Sequence, residues 1–148
     1  TVEYPEKLSG VYPNTVLKQS SPLFRGFDDV FLAPHSREVG ILKKDVDKVP
    51  ELELIADSEQ GGPTILKTTD SKNFFVLCHL EYDANTLALE YQRDSEKGLH
   101  PHIPYNYYPD DDPTKKPIVR WRSAGQLLFS NWLNYYVYQT TPYDIGNK

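Results

Sequence analysis

The sequence predicts an α/β fold, on three observations. Short runs rich in β-branched and aromatic residues recur between 30 and 78, with turn residues between them. The last of them, "NFFVLCH" (73–79), is continuously apolar at its centre and leads directly into the helical pattern "YDANTLALEYQRDSEKG" (82–98). A broadly apolar helical stretch, "VRWRSAGQLLFSNWLNYYVYQ" (119–139), follows.

Each element has its own local signal. Residues 1–28 carry prolines at 5, 13 and 22 and glycines at 10 and 26, and are expected to be loop-rich. "DVFLAPHS" (29–36) has a strand-like centre that Pro34 should stop, and "VGIL" (39–42) is a second short strand. "KKDVDKV" (43–49) reads as a short helix ended by Pro50. "LELIADS" (52–58), "TILKTT" (64–69) and "NFFVLCH" are three further strands, separated by "GGP" and "DSKN" turns. The apolar run in the last predicts a central strand covered on both faces. In the helix that follows, Asp83 is the expected N-cap and Tyr82 can staple onto Leu87. Leu87, Ala88 and Tyr91 share a face, and Gly98 marks the C-terminal stop. Residues 99–117 hold five prolines and are expected to be an extended loop that forms a lid, a binding wall or an interface. In the final helix Trp121, Leu128, Trp132, Tyr135 and Tyr136 make the apolar stripe, and Pro142 ends it.

Composition narrows the function classes. The chain has 148 residues, one domain's worth, with a net charge of -5. No basic run interleaved with aromatics suggests nucleic acid, and no apolar run approaches membrane-spanning length. The opening residues show no signal-peptide pattern. The single Cys, Cys78, cannot form an internal disulfide and fits a reducing compartment, so a cytoplasmic location is expected. The acidic run 110–112 reads as a solvated turn, and no metal is expected. There is no Met, and "TVEYPEKLSG" resembles the middle of a chain, so the sequence is expected to be a piece of something longer.

The chemistry concentrates after the apolar strand. Residues i and i+2 of an extended segment point the same way, so His79 and Glu81 can face one pocket. A carboxylate beside an imidazole fixes its tautomer and stabilises the imidazolium, which suits a general base. Cys78 should point to the opposite side and act as a small buried hydrophobe, not as the nucleophile. A hydrogen-bonded structural pair is the alternative for His79 and Glu81. Arg93, on the helix just beyond, is either solvent-facing or a receptor for a carboxylate.

Several stretches together resemble one family: "PEKLSGVYPNTVL", "SPLFRGFDDVFLAPHSR", "HLEYDANTLALEYQRD", "NYYPDDDPTKKP" and "WRSAGQLLFSNWLNYYVYQTTPYD". They are similar to the C-terminal half of homoserine O-acyltransferases, over Tyr4 to about Asp144. The resemblance implies a class I glutamine amidotransferase-like (flavodoxin-like) sandwich. Residues 1–148 would be the C-terminal part of one such domain. It implies ping-pong transfer, through a cysteine thioester, from succinyl-CoA or acetyl-CoA to the hydroxyl of L-homoserine, the first step toward methionine. No permanently bound cofactor is implied. The acyl-carrying Cys would lie in an N-terminal segment absent from this sequence, so this chain alone would be inactive. His79 matches the family's base and Glu81 its supporting carboxylate. Arg93 and Lys7 match substrate-contacting residues, and Ser36 matches a position linked to substrate selection. His35 would be a neighbour of the pocket, and His100 and His102 would face solvent. The aromatic last helix makes a homodimer surface conceivable.

The sequence departs from the family pattern beside the base. "HLE" replaces His-Pro-Glu, and Cys78 stands where a Gly is usual. "GVYPN" and "RSAGQLLF" replace the more common "GVFEH" and "RSHANLLF". These changes leave open a related serine O-acyltransferase. A non-catalytic amino-acid-binding module and an amidotransferase-like fragment stay open as well.

Overall fold

A computed structural model describes residues 2–137. Five strands form one antiparallel sheet: β1 (Val2–Val16), β2 (Val30–Gly40), β3 (Leu52–Ser58), β4 (Gly62–Thr68) and β5 (Phe74–Val76), in the order β2-β1-β3-β4-β5. Three helices accompany it: α1 (Lys43–Asp47), α2 (Thr86–Glu96) and α3 (Arg122–Trp132), the last continuing as a π-helical turn over Leu133–Val137. The architecture is α/β, as the sequence predicts. The core joins Val11, Phe24, Phe31, Ile55 and Ile65 of the sheet side to Leu87, Tyr107 and Trp121.

The start of the chain corrects the sequence-based expectation. It is a fifteen-residue strand, not a loop. Pro5 falls inside a bulge, where four residues, 4–7, bulge out opposite Glu38 between the Glu3–Val39 and Leu8–Arg37 pairs. Pro13 stays in register with Leu32. Pairing with β2 over Leu8–Thr15 outweighs the local proline signal. Pro34 likewise does not stop β2; it pairs with Val11, and the two predicted short strands become one.

The Pro-rich loop packs along β1. Val11 N–H donates to Tyr105 O (2.7 Å) and Tyr105 N–H to Ser9 O (3.0 Å). This approach requires Gly10. A Cβ there would lie 2.4 Å from the Tyr105 nitrogen, and its φ of +147° disfavours other residues. Tyr107 and Tyr108 of the same loop are buried. His100 is exposed as expected, but His102 is not solvent-facing: its Nε2 lies 2.9 Å from Lys7 O and its Nδ1 2.9 Å from Ile103 O.

The apolar strand is shorter and less covered than predicted. β5 spans Phe74–Val76 and is an edge strand among the described residues, with Phe75 46% and Val76 39% exposed. Hydrophobic content alone does not separate an edge strand from a central one. The helix after it begins at Thr86 with Asn85 at the cap position, so Asp83 is not the N-cap. Gly98 ends α2 as predicted, with φ +73° and its N–H on Ser95 O. The predicted stop at Pro142 lies outside the described residues.

Candidate active site

β5 gives way to a tight turn, and that turn carries His79. The backbone N–H of His79 donates to Pro34 O of β2 (2.8 Å), and Tyr82 N–H closes the turn on His79 O (3.1 Å). The indole Nε1–H of Trp121 donates to Tyr82 O (2.9 Å), tying the turn to the start of α3. Gly125 lets α3 come close, since a Cβ there would sit 2.8 Å from Leu80 O. Leu80 and Cys78 point inward, 9% and 1% exposed. Burial pushes the Cys78 thiol up to about 12, so it is a core residue as expected, although it lies in the turn past β5 and strand alternation is not what turns it inward.

His79 and Glu81 meet: Nδ1 lies 2.9 Å from Glu81 Oε1. The contact comes from the turn and not from an extended strand. With the carboxylate accepting from Nδ1–H, the unprotonated nitrogen is Nε2, which has no hydrogen-bond partner among the described residues. The pair faces outward, with side chains 32% and 70% exposed. Glu81 and Tyr82 also line a cavity of about 850 Å³ between β5 and α3, walled by Leu80, Trp121, Phe129 and Trp132.

The other predicted site residues fall into two linked groups. Ser36 Oγ donates to Glu90 Oε2 (2.7 Å), and Tyr82 OH donates to Glu90 Oε1 (3.0 Å). The Tyr82 ring stacks on His79 at 4.4 Å between centroids and 8° between planes. Ser36 is thereby connected to the imidazole through Glu90 and Tyr82. Burial and the Glu90 carboxylate push the Tyr82 hydroxyl up to about 12, so it stays a donor. In the second group Lys7 Nζ donates to Asp94 Oδ2 and Arg93 Nε to Asp94 Oδ1, both at 3.2 Å. Glu90, Arg93 and Asp94 stand at i, i+3 and i+4 of α2, so the two groups are neighbours on one helix.

Glu90, Asp94 and the stacking role of Tyr82 are not singled out by the sequence alone. The only signal is the i, i+3, i+4 spacing of charged residues behind the His. His35 is fully buried, and its Nε2 is 3.2 Å from Asn14 Oδ1. Burial, then the Arg37 charge, pushes it down to about 3, so it is a neutral structural neighbour of Ser36.

A sequence model described as homoserine O-succinyltransferase matches residues 1–143. A homoserine O-acetyltransferase of Brevibacillus brevis is 53% identical over 143 residues, which is 97% of this chain and 47% of that protein. A homoserine O-acetyltransferase of Methanomassiliicoccus intestinalis is 55% identical over 140 residues, 95% of this chain and 45% of that one. The chain spans about half the length of the curated relatives it matches. Among solved structures, a glutamine amidotransferase of Thermotoga maritima aligns with a TM-score of 0.55 at 17% identity, covering 89% of this chain and 52% of that one. That likeness shows an amidotransferase-like fold.

Proposed function

The chain belongs to the homoserine O-succinyltransferase family, and from that premise we propose that it supplies the base-bearing part of an enzyme that acylates the hydroxyl of L-homoserine. The observation that carries this reading is the His79–Glu81 contact with Nε2 uncommitted. His79 takes the proton of a cysteine thiol supplied by a segment outside this sequence. The thiolate attacks the acyl-CoA carbonyl, the carbon–sulfur bond to CoA breaks, and CoA leaves with the proton returned by the imidazolium. The homoserine hydroxyl then gives its proton to Nε2 and attacks the thioester. The O-acyl ester forms as the cysteine sulfur leaves and is reprotonated. Glu81 stabilises the imidazolium in both halves. Lys7 and Arg93 receive the substrate carboxylate, and Ser36 stands at the acceptor end.

Acetyl-CoA is favoured as donor by the names of relatives at about half identity, whereas the family description names succinyl transfer. The test uses the full-length protein carrying this segment. Homoserine and serine are each offered with acetyl-CoA and with succinyl-CoA. Intact mass is recorded before the acceptor is added, and ester product afterwards. A covalent acyl adduct that homoserine discharges as O-acylhomoserine supports the reading. Absence of both adduct and ester with all four combinations contradicts it.

A further inference from the structure

We infer that Asp94 is a positioning residue that sets Lys7 and Arg93 as one receptor for the carboxylate of the acceptor amino acid. The inference rests on the acyltransferase reading and deepens it. Asp94 is placed where a carboxylate is least expected. It lies in the last turn of α2, at the negative end of the helix dipole, with its side chain only 12% exposed. Solvent therefore offsets little of that repulsion. The side-chain partners of Asp94 are the two cations, each at 3.2 Å. Burial alone would raise its pKa, but the hydrogen bonds and charges of Lys7 and Arg93 hold it below the usual carboxylate value. It is an ionised carboxylate flanked by two positive groups.

Both cations arrive from elements shaped for this meeting. Lys7 comes from the β1 bulge, whose extra residues re-aim the strand, and its carbonyl is held by His102 of the Pro-rich loop (2.9 Å). Arg93 turns one edge of its guanidinium to Asp94: Nε donates to Oδ1, and Nη2 is 3.2 Å from the same oxygen. Nη1 has no partner among the described residues. Lys7 commits one ammonium N–H to Asp94 and keeps two. The cluster thus carries a net positive charge with spare donors from both cations, which suits a carboxylate. Without Asp94, two like charges would repel one another, and Arg93, 54% exposed, would lose its one side-chain anchor among the described residues.

The experiment measures acyl transfer by the full-length enzyme with Asp94→Asn, Asp94→Glu, Lys7→Met and the Lys7→Met/Asp94→Asn pair. Asp94→Asn should raise KM for homoserine roughly ten- to a hundredfold, the loss of a charge-assisted anchor, with kcat changed less than about threefold. KM for acyl-CoA should not move. Asp94→Glu should restore part of the homoserine KM. The pair should be no worse than about the poorer single variant, because Asp94 acts through Lys7. Unchanged homoserine KM in Asp94→Asn, or additive effects in the pair, would overturn the inference. If Asp94→Asn fails to fold, the Asp94→Glu variant decides: equal shifts in both substrates' KM mean a role in folding only. A His79→Ala control keeps the two readings apart. If it transfers acyl groups as fast as the parent, the acyltransferase mechanism fails, whatever Asp94 does.

Discussion

His35 should make the protein lose stability in mild acid, and the structure sets the size of the loss. Asn14 Nδ2 donates to Tyr12 O (2.8 Å), which turns Asn14 Oδ1 toward His35. His35 therefore donates from Nε2, and its buried Nδ1 has no partner among the described residues. A proton there would place a charge in the core beside Arg37 with nothing to accept it. The folded value is about 3, against an ordinary 6.5. The unfolded chain binds a proton below 6.5 and the folded chain does not until about 3, so stability is complete above 6.5 and falls as pH drops toward 3. The slope from this residue is about 1.4 kcal/mol per pH unit, or about 3 kcal/mol by about pH 4. Urea unfolding of the parent and His35→Gln at several pH values isolates it. The variant loses stability at neutral pH, but its deficit should shrink by about 3 kcal/mol on going to about pH 4. Parallel profiles would show that the folded protein accommodates the charged imidazole.

Three other outcomes are expected. In the full-length protein Glu81→Gln should lower kcat at least about tenfold with little change in KM, because in the proposed mechanism it orients and stabilises the base; unchanged turnover would make the pair a surface contact. Cys78, 1% exposed and pushed up to about 12, should resist a disulfide reagent at about pH 8, where roughly one thiol in ten thousand is ionised. Rapid labelling of the native protein would contradict that burial. Gly10→Ala should cost about 1–3 kcal/mol and speed hydrogen exchange at the Val11 and Tyr105 amides, since its Cβ meets the Tyr105 backbone. Unaltered exchange would mean that the loop does not depend on that approach.

Local signals were legible where local physics decides the structure. The short helix α1, the β3–β4 hairpin and the Gly98 stop all follow from nearby residues. The His79–Glu81 contact was readable from spacing, although a turn and not an extended strand brings it about. What escaped depends on distant partners. β1 exists because β2 pairs with it despite Pro5 and Pro13, and β5 is an edge because of sheet order, which its apolar run does not encode. His102 is fixed by a carbonyl 95 positions away, and Asp94 by a lysine 87 positions away. Such contacts leave no trace in spacing.

The most direct measurement is acyl transfer by the full-length enzyme with His79→Ala, made alongside its thermal midpoint. With the fold intact, turnover should fall by about a hundredfold or more, the contribution of a positioned base. Turnover within a few-fold of the parent, at an unchanged midpoint, would mean that the imidazole held by Glu81 does not move the proton.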